Sequence, residues 1–374
     1  MSDVVISGTG LYTPSQSVSN DELVTAFNTF VDQYNRQHAT DIEQGHVQAL
    51  AHSDADFIKK ASGIESRYVL EKSGILDPTV MKPQIPARAN EELALLAEIA
   101  VAAAKDALQQ ADRSASDIDA VIVSCANLQR AYPAIAIEVQ QALGIEGFGF
   151  DMNVACSSVT FGLQTAYQMV RSETANRVLV INPEFTTAHL NFRDRDSHFI
   201  FGDVATASLV ERKDEAHSSQ AFEIISTRCK TEFSNAIRNN FGFMNRTEPD
   251  YDPDRPDCLF VQQGRRVFKE VSPAVVDLIS NHLDSLGLSV HDLKRFWLHQ
   301  ANINMNNLII KRLLGREATQ EEAPNILSEY GNTASAGSLI AFHKTKADFN
   351  PGDKGLLCSF GAGYSIGNII LEKC

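Results

Sequence analysis

The sequence predicts an α/β fold built from two similar halves, and three observations lead there. Short β-branched runs alternate along the chain with segments of helical period, the grammar of α/β architecture. The spacing of features repeats: Asn127 to Cys156 spans 29 positions and Asn302 to Asn332 spans 30. In each half a helix of small residues follows, then a strand about 20 to 25 residues on. The repeat pairs Cys156 with Asn332, and pseudo-twofold packing of the halves would bring both, with His299, to one central cleft. Finally, 374 residues with 44% hydrophobic and 21% charged content suit a globular chain large enough for two fused units.

Taken in order, Val4 to Gly10 reads as a buried strand ending in a glycine turn, and Ser19-Asn20-Asp21-Glu22 opens a helix with a cap. Residues about 28–52 are polar and read as a surface insertion. Phe57 to Ile64 resumes an amphipathic helix with Gly63 as its stop, and Pro78, Pro83 and Pro86 punctuate a loop. Asn90 to Ala111 is an alanine-rich helix, Ile118 to Ser124 a strand, and Pro133 to Leu143 a helix. Gly149 to Ser158 is a loop or short strand running into the helix marked by Val159, Leu163, Ala166, Met169 and Val170. Strands follow at Arg177–Asn182 and Ala205–Val210. The second half repeats the alternation: strand at Phe222–Ser226, helix at Val271–Leu286, strand at Phe296–Leu298, helix at Asn306–Leu314, and strands at Gly355–Phe360 and Asn368–Glu372. The halves are read as 1–215 and 216–374.

The formal net charge of −14 argues against nucleic acid or an anionic membrane as an obligate partner. The six cysteines (Cys125, Cys156, Cys229, Cys258, Cys358, Cys374) lie far apart with no metal-ligand spacing, so a reducing compartment and no metal site are expected. No signal peptide and no membrane-spanning run is read, and the cytoplasm is the default. Cys156 stands out because it begins a helix. There the unpaired N–H groups and the dipole end favour thiolate, the better nucleophile.

Four motifs in order then resemble a known family: Ala155-Cys156-Ser157-Ser158, His299-Gln300-Ala301-Asn302, Gly331-Asn332-Thr333-Ala334-Ser335 and Phe360-Gly361-Ala362-Gly363. Together they are similar to the β-ketoacyl-acyl carrier protein synthase III group of thiolase-like condensing enzymes, nearly end to end. The resemblance implies a five-layered αβαβα fold, a homodimer, a catalytic Cys156–His299–Asn332 triad, and an oxyanion hole from the backbone N–H groups of Cys156 and Gly363. It implies acyl transfer from acyl-CoA to Cys156, then decarboxylative condensation with a malonyl-acyl carrier protein, without a cofactor. Cysteine suits the first step because thiolate attacks thioesters readily. An enolate in the second step needs fixed N–H donors, which His299 and Asn332 offer. CoA contacts are expected from Phe57, Arg195 and Asn302, an acyl-pocket cap across the dimer from Tyr132, and carrier-protein docking from Lys311 and Arg312.

The departures are informative. Asn332 stands where thiolases and elongating synthases carry histidine, and Ser359 where thiolases carry a second cysteine, with Cys358 expected to pack. Phe57 replaces a tryptophan, and Ala61 and Asn304 replace arginines. The insertion at about 28–52, the Met81–Asn90 loop and the Asn235–Asp257 segment lengthen the chain so that it resembles a divergent branch of the family, and that resemblance, with the altered entrance, implies a medium-chain primer. Two rivals remain at this stage. One passes the same acyl group to another nucleophile in specialised metabolism, and the other is a non-catalytic acyl-CoA-binding subunit.

Overall fold

The computed structural model describes residues 3–253 and 255–374. Nine strands carry the fold: β1 (Val4–Tyr12), β2 (Ala120–Ser124), β3 (Phe148–Met152), β4 (Arg177–Glu184), β5 (Val204–Arg212), β6 (Phe222–Ser234), β7 (Leu293–Leu298), β8 (Lys354–Gly361) and β9 (Gly363–Lys373). Their order is β7-β8-β9-β6-β1-β5-β4-β2-β3. The series β1-β5-β4-β2 and the series β6-β9-β8-β7 share one pattern, antiparallel, antiparallel, then parallel. The two series meet only where Val5 and Ile6 pair with Glu223 and Phe222. They therefore behave as two sheets joined at a short seam.

Among the described residues eight helices are eight residues or longer: α1 (Asn20–Gln37), α2 (Ala55–Ser62), α3 (Leu95–Ala111), α4 (Ile135–Leu143), α5 (Ser158–Arg171), α6 (Gly264–Ser285), α7 (Ile303–Leu314) and α8 (Gly337–Thr345). One core holds α3 and α4 against the outer face of the first sheet. A second holds α5 and α8 between the sheets, and a third holds α6 and α7 on the outer face of the second sheet. The result is the expected αβαβα stack. Because α5 and α8 are covered by sheets on both sides, their buried residues are Ser, Thr, Gly, Ala, aliphatics and the aromatic Tyr167 and Phe342, while Gln168 and Lys344 toward their C-terminal ends are exposed.

Several expectations shift. β1 runs through its glycines to Tyr12 instead of turning at Gly10. A Cβ on Gly8 or Gly10 would lie 2.3 or 2.0 Å from the carbonyls of Ala107 or Ala103 in α3. The glycines thus mark close helix approach, with an alanine face opposite them. Much of the stretch 28–52 is helix. α1 continues to Gln37 and buries Phe27 and Val31 in a fourth core with α2, and Asn35 and Asn28 bind the returning chain at Leu50 and Ser53. α3 begins at Leu95, α6 at Gly264 and α7 at Ile303, where Asn302 caps the helix. Among the described residues no helix is long and apolar enough to cross a membrane, and no cluster of His, Cys, Asp and Glu would hold a metal ion.

Candidate active site

The nucleophile turn is set by local hydrogen bonds. β3 ends at Met152, and the Asn153 side-chain oxygen accepts from Ala155 N at 2.8 Å. This bends Ala155 to φ +46°, a conformation costing an alanine about 1–3 kcal/mol. Ser158 Oγ accepts from Val154 N at 2.9 Å and donates to Ala155 O at 2.7 Å. One tight turn, Ala155–Ser157, then leads into α5. Cys156 therefore sits at the inner end of a helix buried between the sheets, and keeps partial exposure.

The second half contains the same turn. Asn332 Oδ1 accepts from Ala334 N at 2.9 Å, Ala334 has φ +47°, and Ala334–Ala336 leads into α8. The match therefore runs Asn153 to Asn332, Ala155 to Ala334 and Cys156 to Ser335. The expected pairing of Cys156 with Asn332 is three residues out. The connection from Leu298 to Ala334 is five residues longer than that from Ser124 to Ala155, so equal counts between other landmarks misaligned the halves.

The partners converge on Ala334. His299 follows β7 directly, its N–H bonded to Cys358 O at 2.7 Å. The ring is buried and edge-on to Phe360. It hydrogen-bonds the Ala334 backbone, and its Nδ1 has no partner. Burial lowers its pKa to about 4, so the ring is neutral at ordinary pH. Asn332 is pinned through its backbone, donating to Ile200 O at 2.9 Å and accepting from Gly202 N at 3.0 Å. With its Oδ1 committed to Ala334, the amide nitrogen is the end directed away from the turn.

The sulfur lies against the end of β8. A Cβ on Gly361 would come within 2.6 Å of Cys156 Cβ and 3.0 Å of Sγ, so only glycine fits there. The Cys156 sulfur hydrogen-bonds the Ala362 backbone and its own. These amides favour thiolate, as the helix-terminus argument expects, but they lose. Burial first, and the carboxylate of Glu184 second, push the thiol up to about 12. The resting nucleophile is therefore a thiol, which corrects the expectation of thiolate. The expected oxyanion donor also moves. Gly363 is exposed at φ +134° and starts β9, whereas the group beside the sulfur belongs to Ala362. β8 ends on Cys156 with Gly361, so the next amide is the one that reaches it.

The remaining expected residues fall into two sets. Phe57 is half exposed, and Arg195 stacks on its ring at 5.5 Å while donating to His52 O at 2.7 Å, so these two are brought together. Tyr132 stands 85% exposed on the loop before α4. Arg312 is exposed, and Lys311 pairs with Glu317 at 2.8 Å. Asn302 departs from its expected ligand role. Its oxygen caps α7 through Asn304 N and Met305 N, and its nitrogen donates to Ala61 O at 2.7 Å, clamping α2 to α7. Cys358 is fully buried with its thiol pushed well up by burial, as a packing residue should be. Sequence reasoning missed Asn153, Ser335 and Glu184; the visible signal was a lone Glu ending the apolar strand β4. It also missed a cavity of about 1190 Å³ lined by Met81, Ile85, Leu128, Phe185, Leu190 and Leu259. This cavity is also lined by Asn127, two positions beyond Cys125 at the end of β2.

The chain carries the signatures of two described families. "3-Oxoacyl-[acyl-carrier-protein (ACP)] synthase III" matches residues 150–232, and its C-terminal counterpart matches residues 283–373. The chain is 60% identical over 348 residues to a beta-ketodecanoyl-[acyl-carrier-protein] synthase of Pseudomonas aeruginosa, covering 93% of this chain and 99% of that protein. It is 28% identical to a beta-ketoacyl-[acyl-carrier-protein] synthase III of Granulibacter bethesdensis, over 98% of both. The crystal structure of 3-oxoacyl-[acyl-carrier-protein] synthase III from Aquifex aeolicus superposes with a TM-score of 0.76 at 24% identity, covering 99% of both chains.

Proposed function

Because this chain belongs to the 3-oxoacyl-[acyl-carrier-protein] synthase III family, we propose that it condenses an acyl-CoA primer with malonyl-acyl carrier protein through an acyl-Cys156 intermediate. Residues 1–215 and 216–374 are read as its two thiolase-like halves. The observation that carries the residue assignment is the convergence of two matching turns. The one bearing Cys156 lies under Gly361 and Ala362, and the one bearing Asn332 is bonded through Ala334 to His299.

In the first step the sulfur attacks the thioester carbonyl of acyl-CoA, and its proton leaves with CoA. Since the thiol is held protonated at rest, the proton departs during attack, when an acyl-CoA is bound. The backbone N–H groups of Cys156 and Ala362 receive the oxyanion. In the second step malonyl-acyl carrier protein loses CO2, and the enolate oxygen takes over the single His299 N–H from the Ala334 carbonyl and accepts a second bond from the Asn332 amide. Neutral histidine suits that task, because it can donate without trapping the enolate as its protonated form. The enolate carbon attacks the acyl-Cys156 carbonyl, the C–S bond breaks, and the sulfur takes up a proton.

The primer is read as medium-chain. The Pseudomonas aeruginosa relative is named for a ten-carbon product, and each condensation adds two carbons, so an eight-carbon primer fits. The chain is further read as a homodimer of the cytoplasm, with the exposed Tyr132 and the open edge of β3 at the subunit contact. Phe57 and Arg195 would take the CoA nucleotide, and Lys311 and Arg312 the carrier protein. Intact-protein mass spectrometry after incubation with acetyl-, octanoyl- or dodecanoyl-CoA tests this reading. It expects one octanoyl mass on the protein, absent in Cys156→Ala. A preference for acetyl-CoA would refute the primer, and adducts surviving Cys156→Ala would refute the nucleophile.

A further inference from the structure

We propose that Glu184 is the positioning residue that locks the nucleophile turn of the first half to the Asn332 turn of the second. It ends β4, is fully buried, and among the described residues has no cation paired to it. The other buried glutamate in this sheet, Glu211, is instead held by Arg113 and Arg177. Glu184 is held by N–H and O–H donors alone. Ala126 N donates to its two oxygens at 3.0 and 3.2 Å, Ser335 N donates at 3.2 Å, and Ser335 Oγ donates to the same oxygen as Ser335 N.

Those donors complete an unbroken chain. Ala155 N bonds to Asn153 Oδ1, and Asn153 Nδ2 bonds to Ala126 O at 2.8 Å. Ala126 N and Ser335 N meet on Glu184. Ser335 adjoins Ala334, which is bonded to both Asn332 and His299. Each strained turn is thus tied through one carboxylate to the other, across the boundary between the sheets. A buried carboxylate is costly to keep, so an apolar residue would serve packing better. The bridge runs through one oxygen, Oε1, which accepts from Ala126 N and from both Ser335 donors, while Oε2 accepts from Ala126 N alone. Where Glu184 is ionised, at the alkaline end, its charge also reaches the nucleophile. Glu184 faces Cys156 and Cys125 from two loops and Asp203 from the segment before β5, and burial with Asp203 raises its own pKa to about 8.

This inference rests on Cys156 as nucleophile, so parent acylation is the control. If no acyl-CoA acylates the parent, the proposed function fails, and the Cys156 alkylation profile of Glu184→Gln still tests the bridge; if acetyl-CoA loads it and octanoyl-CoA does not, only the primer fails and acetyl-enzyme replaces octanoyl-enzyme. Glu184→Gln keeps one acceptor oxygen in place and removes the charge. It should hold condensation within about fivefold, yet move the pH profile of Cys156 alkylation by iodoacetamide to lower pH. Glu184→Ala breaks the bridge and should slow CO2 release from malonyl-carrier protein by octanoyl-enzyme about 10²-fold, the scale expected for a reacting group misplaced by about 1 Å. Ser335→Ala loosens only the second-half arm. It should slow CO2 release about tenfold with octanoyl loading unchanged, and it decides the matter if Glu184→Ala does not fold. An unshifted alkylation profile in Glu184→Gln, or equal slowing of loading and CO2 release in Ser335→Ala, overturns the proposal.

Discussion

The turns at Asn153–Ser158 and Asn332–Gly337 are nearly the same backbone put to different use. Both fold an asparagine side chain onto the amide two residues later, and both force the next alanine to a φ near +46°. Both then start a helix buried between the sheets. They differ in what they present. The first offers a sulfur beneath the Ala362 amide; the second has Ser335, its hydroxyl spent on Glu184, and offers its asparagine instead. Asn153 is spent on Ala126 O, whereas Asn332 keeps its nitrogen directed outward. One scaffold thus supplies covalent capture on one side and hydrogen-bond donation on the other, and the difference lies in which side chain is left free.

Mutations that remove the same feature from each turn sharpen that contrast. The largest effect belongs to Cys156→Ala, which should abolish octanoyl loading on the protein by mass spectrometry. Asn332→Ala should cost about 10²–10³ in CO2 release, the usual toll of one fixed donor, while loading stays within about threefold. Its counterpart Asn153→Ala loses the same internal hydrogen bond but no donor to the enolate. It should slow loading modestly and leave CO2 release from preloaded enzyme nearly unchanged. Equal profiles for the two would mean that Asn332 only shapes its turn.

Smaller effects probe the surroundings of the sulfur. Gly361→Ala drives a methyl into Cys156 and should cost about 1–3 kcal/mol of stability, seen as a lower thermal midpoint, together with slower loading. The thiol is held well above its ordinary range by burial first and Glu184 second, so it deprotonates only at high pH. Iodoacetamide alkylation of Cys156 should therefore climb steadily from pH 7 to 10 without a plateau. A plateau near neutral pH would show a resident thiolate.

The layers, the helix after Cys156 and the motif residues were legible in the sequence, because strand and helix periods and short glycine-bearing turns are local signals. The partners of those motifs were not. Ala362 rather than Gly363 faces the sulfur because β8 runs on past Phe360 to Gly361, against Cys156, and Ala362 carries the next amide. Asn302 is a helix cap whose second bond goes to Ala61, 241 positions away. Glu184 reads locally as the polar end of an apolar strand, and its meaning comes from Ser335, 151 positions on. Contacts across the two halves leave no periodic trace, so spacing alone also misaligned Cys156 with Asn332.

The division of labour between the turns is tested most directly by single-turnover rapid quench. Octanoyl-loaded parent and Asn332→Ala enzymes would be mixed with malonyl-acyl carrier protein, with loading measured beforehand on the same samples. The account predicts equal loading in both, and CO2 release at least about a hundredfold slower in Asn332→Ala. Loading and CO2 release slowed to the same extent, or CO2 released at the parent rate, would contradict it.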